Sequence, residues 1–150
     1  SYEDLLEAFI EDIWADADKS FVAWNKSFEN ARNREISENF TPFAKIFKEI
    51  TKNTYDLMDI FKKGYYYSLD FKGSHSIKSI LPTMVPDMSY QWMEIPDWQE
   101  AMQVINAIIN TDVYSEEEKE KEIKNLLLYC GQDSLAMYRI YQEILKKISD

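Results

Sequence analysis

Two short groups of residues have the types and spacing to do chemistry. Near the amino terminus the apolar run Phe21-Val22-Ala23-Trp24 leads into Asn25-Lys26-Ser27-Phe28-Glu29, and near the carboxy terminus Leu126-Leu127-Leu128 leads into Tyr129-Cys130-Gly131-Gln132-Asp133. Glu29 and Asp133 offer oxygen donors suited to Mg²⁺ or Mn²⁺. The four-residue step from Tyr129 to Asp133 puts both on one helix face, where the acid could bind a metal while the phenol orients an attacking water. Neither group is distinctive by itself. Tyr-x-x-x-Asp occurs at Tyr55/Asp59, Tyr66/Asp70 and Tyr129/Asp133, and only the last follows an apolar helical run near the carboxy terminus. Glu29 also has a structural use, because the first turn of a helix favours a negative side chain.

The composition narrows the classes. A chain of 150 residues that is 45% hydrophobic and 15% aromatic can bury one sizeable core, so a single domain is expected over residues 1–150. A net charge of -10 argues against gripping nucleic acid by broad electrostatic attraction, which needs Lys and Arg to replace counterions. It leaves room for a metal-dependent nuclease, whose ions supply positive charge that carboxylates organise. One local basic zone exists: Lys62, Lys63, Lys72 and Lys78 surround Tyr65, Tyr66, Tyr67 and Phe71, with Asp70 the sole acid among them. Lysines meeting phosphates beside rings that stack on bases is a pattern of single-strand binding; a solvated helix end followed by an aromatic loop packed on the core is the alternative.

Other chemistry finds no support. The lone Cys130 excludes an internal disulfide and lies on an apolar helical face as a small hydrophobe. His75, the one histidine, sits in a Ser-rich turn that suits a surface or capping role more than proton transfer. No His/Cys cluster for zinc, no Gly-rich phosphate loop and no Ser/His/Asp arrangement is present. No apolar run approaches the roughly 20 residues that span a bilayer. The opening stretch carries Glu3, Asp4, Glu7, Glu11 and Asp12 rather than a secretory pattern, so a cytoplasmic protein without membrane contact is expected.

The elements that must position these residues are mostly helical. Tyr2, Leu5, Leu6, Phe9, Ile10, Ile13 and Trp14 recur at helical spacing. Ser20 to Trp24 is the best strand candidate, and a helix from about Lys26 to Ser37 carries Glu29 in its first turn. Thr41 with Pro42 reads as an amino-cap with proline at the first helical position, followed by the stripe Phe43, Ile46, Phe47 and Ile50. Helical spacing continues from Tyr55 to Lys63, and Gly64 ends it. A short helix spans Ser76 to Met84, residues 85–96 form a loop, and Asp97/Glu100 and Ser115/Glu118 have the form of capping boxes. In the last helix Ile123, Leu126, Leu127, Cys130, Met137, Ile140, Tyr141, Ile144 and Ile148 trace an apolar face, while Gly131 marks a kink, a join or a close backbone approach.

The order of the two opening groups resembles the second and third motifs of the DEDD-type 3′-5′ exonucleases, in which Asn-x-x-Phe-acid follows a strand and Tyr-x-x-x-Asp lies on a late helix. More specifically, Trp24 to Glu29, Asp56 to Tyr67, Asp70 to Lys78 and Tyr129 to Asp133 resemble an uncharacterised bacterial domain of unknown function (DUF2779) that is similar to the ribonuclease H-like exonucleases. The resemblance covers roughly Phe21 to Leu145. It implies metal-binding carboxylates at Glu29 and Asp133, a helper role for Tyr129, and Mg²⁺ or Mn²⁺ as cofactor in the complete domain. The first motif, Asp-x-Glu on an opening strand, is missing, and Asp16-Ala17-Asp18 is a poor substitute. The expected fold is therefore mainly α with one or two short strands, the carboxy-terminal part of a ribonuclease H-like α/β exonuclease domain, inactive as this fragment. Nucleic acid would meet Lys62, Lys63, Lys72, Lys78 and Tyr66, and the exposed strand near Phe21 to Trp24 could pair with another copy. A noncatalytic helical module for protein or nucleic-acid interaction is the competing expectation.

Overall fold

A computed structural model describes residues 1–14 and 19–149. The chain divides into two compact units, Ser1–Tyr67 and Ser68–Asp150. Both are mainly helical, and the first contains a small parallel sheet.

In the first unit, helix α1 (Tyr2–Trp14) precedes strand β1 (Phe21–Ala23), helices α2 (Lys26–Asn39) and α3 (Ala44–Lys52), strand β2 (Thr54–Asp56) and the short helix α4 (Met58–Lys62). The strands pair in parallel, with Phe21 opposite Thr54, Val22 opposite Tyr55 and Ala23 opposite Asp56. Parallel neighbours need a crossover, and α2 with α3 provides it. Leu6, Phe47 and Ile50 form the buried centre, joined by Ile10, Phe21, Ile36, Phe40, Phe43 and Ile46. The rings of Tyr2 and Phe40 stack at 5.0 Å and those of Phe9 and Phe47 at 6.0 Å. Each such side chain contributes about 1.5–3 kcal/mol when fully buried.

Two expectations for this unit are corrected. Thr41 is not an amino-cap; Thr41–Phe43 forms a 3₁₀ turn containing Pro42, and α3 starts only at Ala44. The helix expected from Tyr55 begins at Met58, because Thr54, Tyr55 and Asp56 are taken up as β2. Thr and Tyr suit a pleated strand, and pairing with β1 outweighs the helical spacing of their neighbours. Gly64 closes α4 with a φ of 73°, a conformation glycine adopts without penalty.

In the second unit a 3₁₀ turn (Leu69–Phe71) leads to α5 (Ile77–Met84), α6 (Trp98–Asn110) and the 34-residue α7 (Glu116–Ser149). Asp97 accepts from the Glu100 amide at 3.0 Å, starting α6. Ser115 and Glu118 satisfy each other's amides at 2.8 and 3.3 Å, the reciprocal box expected for α7. Ile80 and Leu81 of α5 and Ala136 and Ile140 of α7 are fully buried. The buried stripe of α7 is Tyr129, Ala136, Ile140 and Ile144, which shares Ile140 and Ile144 with the expected face, while Leu126 and Met137 of that face are half-buried. Leu127, Tyr141 and Ile148 are exposed, as is Cys130, which is therefore no core hydrophobe. Among the described residues no helix is long and apolar enough to cross a membrane.

Gly131 neither kinks nor divides α7, which runs through it unbroken, and a Cβ built there would meet nothing within 4 Å. Gly131→Ala is thus expected to raise the unfolding free energy by roughly 0.5–1 kcal/mol, read from urea denaturation. A loss of stability would show that this position requires glycine.

Candidate functional site

The Asn25-to-Glu29 group occupies the turn from β1 into α2. Asn25 has φ 69° and ψ 65°, left-handed values that asparagine tolerates better than most residues, and its side chain makes no cap. The cap comes from across the sheet. Asp56, at the end of β2, accepts from the Asn25 amide at 3.0 Å, the Lys26 amide at 2.9 Å and the Met58 amide at 3.1 Å. One carboxylate thereby starts both α2 and α4. The Lys26 ammonium donates back to the Thr54 carbonyl. Glu29 stands exposed in the first turn of α2, and neighbouring Phe28 is exposed with the Arg32 guanidinium 5.8 Å from its ring centre.

The Tyr129-to-Asp133 group is built differently. Tyr129 is buried, and Asp133, half-buried, lies on the same inward face of α7. The Tyr90 hydroxyl donates to Asp133 Oδ1 at 2.7 Å. Burial, and then the Asp133 carboxylate, push both phenols above their ordinary pKa, so both remain protonated at neutral pH and Tyr90 acts as donor. Residues 85–96 form a strap along α7 that places Tyr90. Arg139 donates to both Asp87 oxygens at 3.1 and 3.0 Å, and the Gln132 amide donates to the Ser89 carbonyl at 3.2 Å. The Lys78 ammonium sits 5.4 Å from the Tyr90 ring centre and donates to the Pro96 carbonyl. Lys78, Leu81, Pro82, Tyr90, Pro96 and Asp97 line a cleft of about 290 Å³ beside it.

The basic and aromatic zone is distributed over both units. Lys62 is exposed at the end of α4, whereas Lys63 pairs with Asp59 at 2.6 Å, and that carboxylate raises the Lys63 pKa. Tyr66 is half-buried, its ring edge-on to Phe61 at 6.1 Å, and Phe61 meets Trp24 at 5.5 Å. Tyr65 and Tyr67 are exposed. Lys72 is exposed in a left-handed conformation, and Lys78 is half-buried at the cleft.

Glu29 and Asp133 belong to different units, so neither unit by itself brings them together. Among the described residues no three His, Cys, Asp or Glu side chains cluster as metal ligands. Asp56 uses both oxygens on amides, and Asp133 gives one to a phenol. Asp16 and Asp18 lie outside the described residues. The acids of either unit therefore do not fit a complete two-metal centre. Two residues of structural weight had no assigned role in the sequence. Asp56 carried a signal, an acid directly before a helix start, which was hidden by extending that helix back to Tyr55. Tyr90 carried none, apart from the density of large apolar residues in a segment read as loop.

Residues 1–76 match the family described as Domain of unknown function (DUF2779), and the chain belongs to that family. The matched region includes Asn25 to Glu29 and both strands. The chain is also similar to an uncharacterized protein, UU173, of Ureaplasma parvum serovar 3, with 27% identity over 159 aligned positions. That alignment covers 96% of this chain and 23% of the relative, so the chain spans about a quarter of that protein's length. No solved structure matches the chain.

Because Asp56 caps two helices at once, Asp56→Ala is expected to cost roughly 2 kcal/mol, about 1 kcal/mol for each cap. Asp56→Asn, which keeps one acceptor oxygen, should cost less. Thermal unfolding followed by circular dichroism checks the order; equal stability of Asp56→Ala and the parent chain would contradict it.

Proposed function

We propose that the chain is the carboxy-terminal part of a ribonuclease H-like α/β domain in a metal-dependent 3′-5′ exonuclease acting on DNA or RNA. The observation that carries this reading is the unfinished parallel sheet. Two three-residue strands, joined by a helical crossover, leave Val22 and Tyr55 exposed on one face. Parallel strands ordinarily lie inside larger sheets with both faces covered. Further strands supplied by a longer protein would complete the sheet and could add the missing Asp-x-Glu.

The order of elements supports the same reading. Glu29 follows a strand in the first turn of a helix, and Tyr129 with Asp133 shares one face of the last helix. Mg²⁺ or Mn²⁺ is the cofactor proposed for the complete domain, with Glu29 and Asp133 among its ligands; no chemical step is assigned to this chain alone. Lys62, Lys63, Lys72, Lys78 and Tyr66 are the proposed nucleic-acid contacts, and the edge near Phe21 to Trp24 is open to self-association.

One observation favours a second reading, a noncatalytic helical interaction module. Opposite its buried stripe, α7 exposes Leu127, Leu135, Tyr138 and Leu145, an apolar face of the kind that partner helices cover.

Digestion of labelled single-stranded DNA and RNA with Mn²⁺ separates the two. The longest natural protein containing the chain should cleave, residues 1–150 alone should not, and Glu29→Gln or Asp133→Asn in the long protein should lower the rate more than about 100-fold, beyond the loss usual for an outer-sphere partner. A long protein that folds without cleaving either substrate would favour the interaction module. Cleavage by residues 1–150 that vanishes in Asp133→Asn would contradict the incompleteness of the site.

A further inference from the structure

We infer that Tyr90 is the positioning residue for Asp133, so that the candidate site extends to the strap between α5 and α6. The inference rests on Asp133 being functional, as proposed above, and it names a residue that neither motif contains. An aspartate on a helix can occupy several side-chain rotamers, each directing its carboxylate differently. Tyr90 removes that freedom from Asp133 by donating to Oδ1 at 2.7 Å, a short bond of the charge-assisted kind.

The donor is itself held on both sides. Towards the start of the strap, Arg139 grips Asp87 with two bonds of 3.1 and 3.0 Å, and beside Tyr90 the Gln132 amide holds the Ser89 carbonyl at 3.2 Å. Lys78 is placed against the Tyr90 ring at 5.4 Å. Gln132, Asp133 and Arg139 all lie on α7, so the strap is fixed in register with the helix that carries the acid. Tyr90 is 7% exposed, which leaves its hydroxyl little water to bond with instead. A residue needed only for packing would use its ring. Here the hydroxyl is aimed at Asp133, the acid of the Tyr129-to-Asp133 group.

The test compares Tyr90→Phe, which removes only the hydroxyl, with Tyr141→Phe, which removes a hydroxyl from an exposed position of α7, the helix that carries Asp133. In residues 1–150, the three-bond coupling between the Asp133 amide nitrogen and its carboxyl carbon reports whether the side chain holds one rotamer. It should be that of a single rotamer in the parent and in Tyr141→Phe, and become averaged in Tyr90→Phe. In the long protein, Tyr90→Phe should lower kcat about 10- to 100-fold, the loss usual when a functional ligand loses its hydrogen-bond partner, with KM nearly unchanged. Tyr141→Phe should leave both intact. An unchanged coupling in Tyr90→Phe would overturn the inference, as would equal averaging in Tyr141→Phe or a Tyr90→Phe chain that no longer folds, since each makes the role other than positioning. An averaged coupling in Tyr90→Phe alone, with no cleavage by the parent long protein, would retain Tyr90's hold on Asp133 and count against the exonuclease reading.

Discussion

The turn after β1 presents backbone amides that no side chain of its own satisfies, because the left-handed Asn25 makes no cap. Asp56 answers this from the end of the neighbouring strand, taking two amides of that turn and one of α4. Uncapped amides at a helix start cost free energy when water cannot reach them, so strand pairing and helix initiation are tied together in the first unit. If β2 shifts by one residue, Asp56 points to the opposite face and both helices lose their cap. The position of Glu29, one turn into α2, follows from this constraint.

The second unit solves a different problem. α7 carries large apolar residues around most of its circumference, and the stripe it buries is Tyr129, Ala136, Ile140 and Ile144, with the half-buried Asp133 on the same side. Ala136 has no accessible surface left, which allows close approach of the neighbouring elements, and Asp133 is tolerated there because a buried phenol donates to it. The face with Leu127, Leu135 and Leu145 stays exposed. A half-buried acid beside the buried stripe, matched by a donor from a distant loop, costs packing area that an apolar residue would have filled. Function is one reason to keep it.

Local signals made much of this legible. Helical spacing marked α1, the Lys26 start of α2 fell where expected, and the boxes at Asp97 and Ser115 located α6 and α7. Capping is a short-range matter of residue type, so it can be read locally. β2 could not be, because Thr54 to Asp56 becomes a strand only through a partner about thirty residues away. The buried face of α7 was legible only in part, at Ile140 and Ile144, for a related reason: where apolar residues surround a helix, spacing alone does not say that Tyr129 and Ala136 are covered too. Tyr129 and Asp133 stand out by the motif they form, but Tyr90, 43 residues before Asp133, meets that aspartate only through the tertiary fold.

We propose that Glu29 and Asp133 serve one metal-dependent site in a larger domain. The most direct measurement is their carboxylate separation in a crystal structure of the longest natural protein containing the chain, grown with Mn²⁺. The expected result is both acids on ions about 4 Å apart, with further acids from outside these residues completing the coordination. Carboxylates more than about 10 Å apart in an ordered structure, with no metal between them, would contradict a shared site, since paired ions are held far closer than that.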